Sequence, residues 1–142
     1  MGKTKILVVD DEKKVGDIIQ KLLVAKNYRV FRAATPEEAI EVITKKHPHL
    51  VFLDIRLDNV SGLDLLPKLK ELDKKLKVIV LTGLEDEETI RRAKAQGADG
   101  FMAKPFDLEL LDRIIPQALS QLSTRIKVRK ENKTVVSKSP SN

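Results

Sequence analysis

The chain has no cysteine and no tryptophan, only one tyrosine and four phenylalanines in 142 residues, and no long hydrophobic run. Without cysteine there is neither a disulfide framework nor thiolate chemistry, a composition that suits a reducing compartment. No stretch approaches the roughly 20 apolar residues of a bilayer-spanning helix. The run Ile6-Leu7-Val8-Val9 is too short for a signal-peptide core and ends in acids. These absences lead to a cytoplasmic protein with no membrane segment. The length suits one domain built on a single core and is too short for two.

What is present in quantity is charge: 27 Lys and Arg against 21 Asp and Glu, a net +6. The excess is not spread evenly. Six bases (Arg125, Lys127, Arg129, Lys130, Lys133, Lys138) and a single acid, Glu131, lie after Ser123, so this tail carries +5 and the rest of the chain is close to neutral. Residues 1–122 are read as one folded domain and 123–142 as a basic tail or linker. The tail has no aromatic residue to stack on bases, so direct nucleic-acid binding is disfavoured. Ile126 and Val128 alternate with bases, and Val135-Val136 follow a polar stretch, a pattern open to a weak hairpin; because a lone hairpin is marginal in water, a disordered or docked extension is expected.

Short apolar runs rich in Val and Ile, bounded by turn residues, read as buried strands of a parallel sheet. Three of them end in polar residues: Ile6–Val9 in Asp10-Asp11, Leu50–Leu53 in Asp54, and Val78–Leu81 in Thr82; a fourth, Gly100–Ala103, ends in Lys104-Pro105. Tyr28–Ala33, with Arg29 and Arg32, is less uniformly apolar and suits a sheet edge, as does the short Gly100–Ala103. Between the strands lie helical patterns. Val15, Ile18, Ile19, Leu22 and Leu23 mark one helical face, which stops near Asn27. Thr35-Pro36-Glu37-Glu38 is a helix start, with Thr as N-cap and Pro in the first position, and Lys45-Lys46 before Pro48 place cations at that helix's negative end. Further helices are expected over 62–73, 86–96 and 107–122, the fourth running from Asp86 to Gly97, with local kinks at Pro67 and Pro116. The regular alternation gives a doubly wound, flavodoxin-like α/β fold, (βα)5, with parallel strand order 2-1-3-4-5.

In such sheets the ligand crevice lies outside the carboxyl ends of the strands, which brings Asp10, Asp11, Asp54, Thr82 and Lys104 together. Neighbouring carboxylates stay ionised together only beside a cation, and Mg²⁺ suits oxygen ligands of this kind. One carboxylate could then act as nucleophile toward a phosphoryl group, with Lys104 balancing its charge and the Thr82 hydroxyl donating to it. His47 and His49, flanking Pro48 at the other edge, lack a third ligand and are read as surface residues.

Five ordered features, the pair Asp10-Asp11, then Asp54, Thr82, Phe101 and Lys104-Pro105, closely resemble the receiver domain of two-component response regulators over residues 3–122. The resemblance implies that Asp54 is the phosphorylation site and that Asp10, Asp11, Asp54 and the Arg56 carbonyl surround Mg²⁺. It implies also that Lys104 pairs with the phosphate and that the Lys104–Pro105 peptide is cis. Thr82 and Phe101 occupy the family's switch positions, which would reshape the face made by the fourth helix, fifth strand and fifth helix. The implied partners are a sensor histidine kinase or phosphotransfer protein and a downstream output protein or domain, with room for a phosphorylation-dependent dimer. The protein would be a signalling domain catalysing only its own phosphorylation and dephosphorylation. Where many relatives carry Tyr, Phe101 lacks a hydroxyl. The loop after Asp54 (Leu57, Asp58, Val60, Gly62) lacks the usual Pro but keeps the glycine. Arg56 and Leu84 sit where side chains influence the attacking water. A phosphatase of the haloacid dehalogenase type uses a similar set, but with its nucleophile on the first strand, the reverse of the order here. A flavin carrier would need a phosphate-cradling loop where Asp10-Asp11-Glu12 stand.

Overall fold

In the computed structural model, residues 3–57, 60–83, 87–104 and 108–128 are described. The chain runs β1 (Lys5–Val9), α1 (Lys13–Ala25), β2 (Arg29–Ala33), α2 (Pro36–Lys46) and β3 (Leu50–Asp54). It continues through β4 (Arg56–Leu57), β5 (Val60–Ser61), α3 (Gly62–Leu72), β6 (Lys77–Thr82), α4 (Glu87–Ala95), β7 (Gly100–Ala103) and α5 (Leu108–Val128). Five strands pair in parallel in the order β2-β1-β3-β6-β7, the arrangement expected from the sequence. The two-residue strands β4 and β5 form a separate antiparallel ribbon and do not enter the sheet.

The strands bury both faces, and their period of two divides the core in two. Leu7, Val9, Val51, Leu53, Val78 and Val80 point to one side, where residues of α2, α3 and α4 cover them. Ile6, Val8, Leu50, Phe52, Ile79 and Leu81 point to the other and meet Ile19 and Leu23 of α1 and Leu111 and Ile115 of α5. β2 and β7, the edges, are the less buried strands, as their composition suggests.

Local signals set the helix ends. Thr35 Oγ1 accepts from the Glu38 N–H at 3.2 Å, and Glu38 reaches back to accept from the Ala34 N–H at 2.7 Å. α2 stops at His47 in the left-handed region (φ 53°), α1 is followed by Asn27 (φ 72°), and α4 by Gly97 (φ 106°). α3 and α5 both run through their internal prolines, Pro67 and Pro116. The fifth helix is longer than expected: it continues to Val128, so Ile126 and Val128 lie on a helix and not on a hairpin strand. Between Pro116 and Val128 there is no Gly or Pro, and nothing in that stretch stops a helix. The expected helix start at Asp86, the cis peptide at Pro105, and the tail residues 129–142 lie outside the described residues, as do Asp58 and Leu84.

Candidate functional site

The site is assembled where β1, β3, β6 and β7 end. Asp10 follows β1 and is held there by its own N–H, which donates to the Ala33 carbonyl at 3.0 Å. Its Oδ1 accepts from the Glu12 N–H at 2.8 Å, a turn that folds Glu12 back over the strand end. Asp54 closes β3, and its Oδ1 accepts from the Arg56 N–H at 3.0 Å. Lys104, just after β7, is carried by its N–H bond to the Thr82 carbonyl at 2.8 Å. Its ammonium lies 3.0 Å from Asp54 Oδ2, 3.5 Å from Asp10 Oδ2 and 3.5 Å from Glu12 Oε1. Residues 10, 54 and 104 thus meet as the strand-end pattern requires.

Asp11, Glu12, Asp54, Arg56, Gly83 and Lys104 line a crevice of about 380 Å³. Asp10 and Asp54 are nearly fully buried, at 3% and 4% exposure. Burial pushes the Asp10 carboxyl up to about 6, with the Asp54 charge adding to it, while the Glu12 N–H and the Lys104 ammonium pull the other way. For Lys104 burial penalises the charged form, but the hydrogen bond and charge of Asp54, joined by Asp10 and Glu12, outweigh it and raise its pKa above the ordinary lysine value.

The acids of this crevice fit a divalent cation. Carboxylate oxygens of Asp10, Glu12 and Asp54 lie within 4.8 Å of one another. Asp10 Oδ2 is buried and, beyond its ion-pair contact with Lys104, accepts no hydrogen bond. A buried carboxylate oxygen without a donor costs free energy that a hard cation would offset, and an all-oxygen donor set suits Mg²⁺.

Thr82 is buried at the end of β6, its hydroxyl 3.5 Å from the Gly83 carbonyl, and it is Gly83 that faces the crevice. Phe101 lies away from the crevice, half-buried against the α2–α3–α4 side of the core, with Lys94 Nζ 5.7 Å from its ring centroid. Gly62 explains why a glycine stands at the start of α3: a Cβ there would come within 2.2 Å of the Asp54 carbonyl oxygen. His47 and His49 are exposed at the opposite edge, where His49 Nδ1 accepts from the Lys5 N–H at 3.0 Å.

Glu12 is the residue that sequence reasoning passed over. The run of three acids was its signal, but two of the three are enough for the expected pair, and the fold-back at Asp10 that aims the third at Lys104 is a property of the folded turn.

A family model described as "Response regulator receiver domain" matches residues 6–116. The chain belongs to this family. The receiver is 32% identical over 109 residues to sporulation initiation phosphotransferase F of Bacillus subtilis, a match covering 77% of this chain and 88% of that protein. It is 36% identical over 133 residues to the regulatory protein VanR of Enterococcus faecium, covering 93% of this chain and 57% of the relative. Among solved structures, a CheY-like receiver of Methanospirillum hungatei superposes with a TM-score of 0.82 at 29% identity, over 87% of this chain and 99% of the other. The receiver domain of NtrX from Brucella abortus gives 0.77 at 34%, over 81% and 98%. The receiver spans about half the length of some curated relatives, and 27% of the regulatory protein AtoC of Escherichia coli. Receivers are signalling domains that bind Mg²⁺ at acidic residues, and the acids gathered here are of that kind.

Proposed function

We propose that this receiver accepts a phosphoryl group on Asp54 from a sensor histidine kinase or a phosphotransfer protein in the cytoplasm, in a Mg²⁺-dependent reaction. The observation that carries the reading is the 3.0 Å contact between Asp54 Oδ2 and Lys104 Nζ beside a buried oxygen of Asp10 that the same ammonium reaches at 3.5 Å. In the transfer an oxygen lone pair of Asp54 forms the new O–P bond, the bond from phosphorus to the donor breaks, and the donor leaves with that electron pair. Asp10, Asp11, Asp54 and the carbonyl of Arg56 would hold the Mg²⁺, which neutralises charge on the phosphoryl oxygens when bound. Lys104 is already in place to pair with the transferred group, and the buried Thr82 hydroxyl, now turned to the Gly83 carbonyl, is free to donate to it instead.

Rotation of Phe101 behind Thr82 would then reshape the α4–β7–α5 face toward an output protein, an output domain or a second copy of the chain. β6 and β7 pair Thr82 with Ala103 and Val80 with Phe101, which supports a direct mechanical link between the two switch residues. Residues 1–122 constitute the signalling unit in this reading, and 123–142 a basic linker.

The test is incubation with Mg²⁺ and acetyl phosphate. One acid-stable, base-labile adduct should form per chain and vanish in Asp54→Asn. Sustained turnover of a phosphoester without a trapped adduct would favour the dehalogenase-type phosphatase instead.

A further inference from the structure

Glu12, one of the three acids clustered in the crevice, also pairs with the Lys104 ammonium. Its carboxylate reaches Lys104 Nζ at 3.5 Å from the solvent side: the Glu12 side chain is 62% exposed, whereas that of Lys104 is 22% and those of Asp10 and Asp54 are 0% and 5%. The Asp54–Lys104 pair is therefore capped at its mouth by a third acid, tethered from below by the Glu12 N–H bond to Asp10. An incoming phosphoryl oxygen that claims Lys104 must displace Glu12 and approach past its negative charge. Asp11 lines the same rim, so the entrance is acidic on two sides, with Arg56 as its counter-charge.

We propose that Glu12 is a specificity-determining residue of the pocket, one that disfavours free anionic phosphodonors and so reserves Asp54 for a donor docked on the protein. This rests on the reading of Asp54 as phosphoacceptor. A free donor meets the full repulsion at the mouth, whereas a protein donor overcomes it with contacts made elsewhere on its surface. At the separations seen here, removing one negative charge from a partly solvated rim is worth about three- to ten-fold in rate.

The decisive comparison is the initial rate of adduct formation in the full chain and in Glu12→Gln, at saturating Mg²⁺ for each protein, with two donors. With acetyl phosphate, a dianion, the variant should be about three- to ten-fold faster at low salt, and the advantage should shrink at about 0.5 M salt, where exposed charges are screened. With phosphoramidate, which carries less net negative charge near neutral pH, the gain should be smaller. Glu12→Asp keeps the charge but shortens the arm away from Lys104, and should fall between parent and Gln. Equal rates for parent and Glu12→Gln, or a gain indifferent to salt and donor charge, would overturn the role of Glu12 while leaving Asp54 as acceptor. No Asp54-dependent adduct in the parent would overturn the phosphoacceptor reading, and the role of Glu12 with it.

Discussion

Asp10 carries the conflict of the pocket in a single side chain. Its carboxyl is pushed from an ordinary 3.8 to about 6 by burial and by Asp54, so between those values the folded protein holds a proton that the unfolded chain has released. Stability is therefore fully present near pH 4 and falls as pH rises through about 6, to a lower plateau above it. In Mg²⁺-free protein, Asp10→Asn should accordingly be more stable than the parent above pH 6, by about 1–3 kcal/mol, with the difference closing toward pH 4. Urea unfolding at the two pH values measures it. Added Mg²⁺ should raise the melting temperature of the parent and move the variant less, because a ligand stabilises in proportion to its affinity for the folded state. Gly62 is the second residue with a sharp consequence. Gly62→Ala drives a methyl group into the Asp54 carbonyl oxygen, and should lose about 2 kcal/mol or more in urea unfolding together with the capacity to form the Asp54 adduct.

At the scale of elements, the strands were readable because each is a short apolar run whose alternate residues feed opposite sides of the core, and the caps because Thr35, Pro36 and Glu38 carry their own geometry. Non-local ties were not readable. The side chain of Asp99, between α4 and β7, is fully buried and joins Lys70 of α3 at 2.6 Å, Lys77 at the start of β6 at 3.8 Å, and the Val78 N–H at 2.9 Å. Nothing local in Gly97-Ala98-Asp99-Gly100 announces a buried acid, since its partners Val78, Lys77 and Lys70 stand 21, 22 and 29 positions earlier in the chain and meet it only in the folded state. Removing the charge takes an anion away from two buried or half-buried ammonium groups, of which Lys70 keeps its bond to the Leu76 carbonyl at 2.7 Å. Asp99→Asn should therefore cost about 3–5 kcal/mol by denaturant titration, whereas Thr35→Ala, which loses one exposed cap, should cost about 1 kcal/mol. The β4–β5 ribbon was equally hidden, because two-residue strands have no periodicity to read.

For the molecule as a whole, the sequence pattern sufficed for the strand order and for bringing Asp10, Asp54 and Lys104 together, since strand ends of a parallel sheet converge regardless of loop detail. It did not reveal where the last helix ends or which acid leans over the crevice. Among the described side chains, the buried core reaches Ala118 on α5, with Leu119 packed against it, and the family match ends at residue 116. A chain ending after Val128 should therefore unfold at the same urea concentration as the full chain and form the Asp54 adduct at the same rate. The Asp99 cluster grips β6 and β7 where they begin, whereas Thr82 closes β6 at its other end, paired with Ala103, the last residue of β7. These two strands are mounted like cantilevers, clamped at the root, so backbone movement is expected at the tip. Amide exchange at Val78 should stay equally slow before and after phosphorylation, while the change is felt around Thr82 and Ala103.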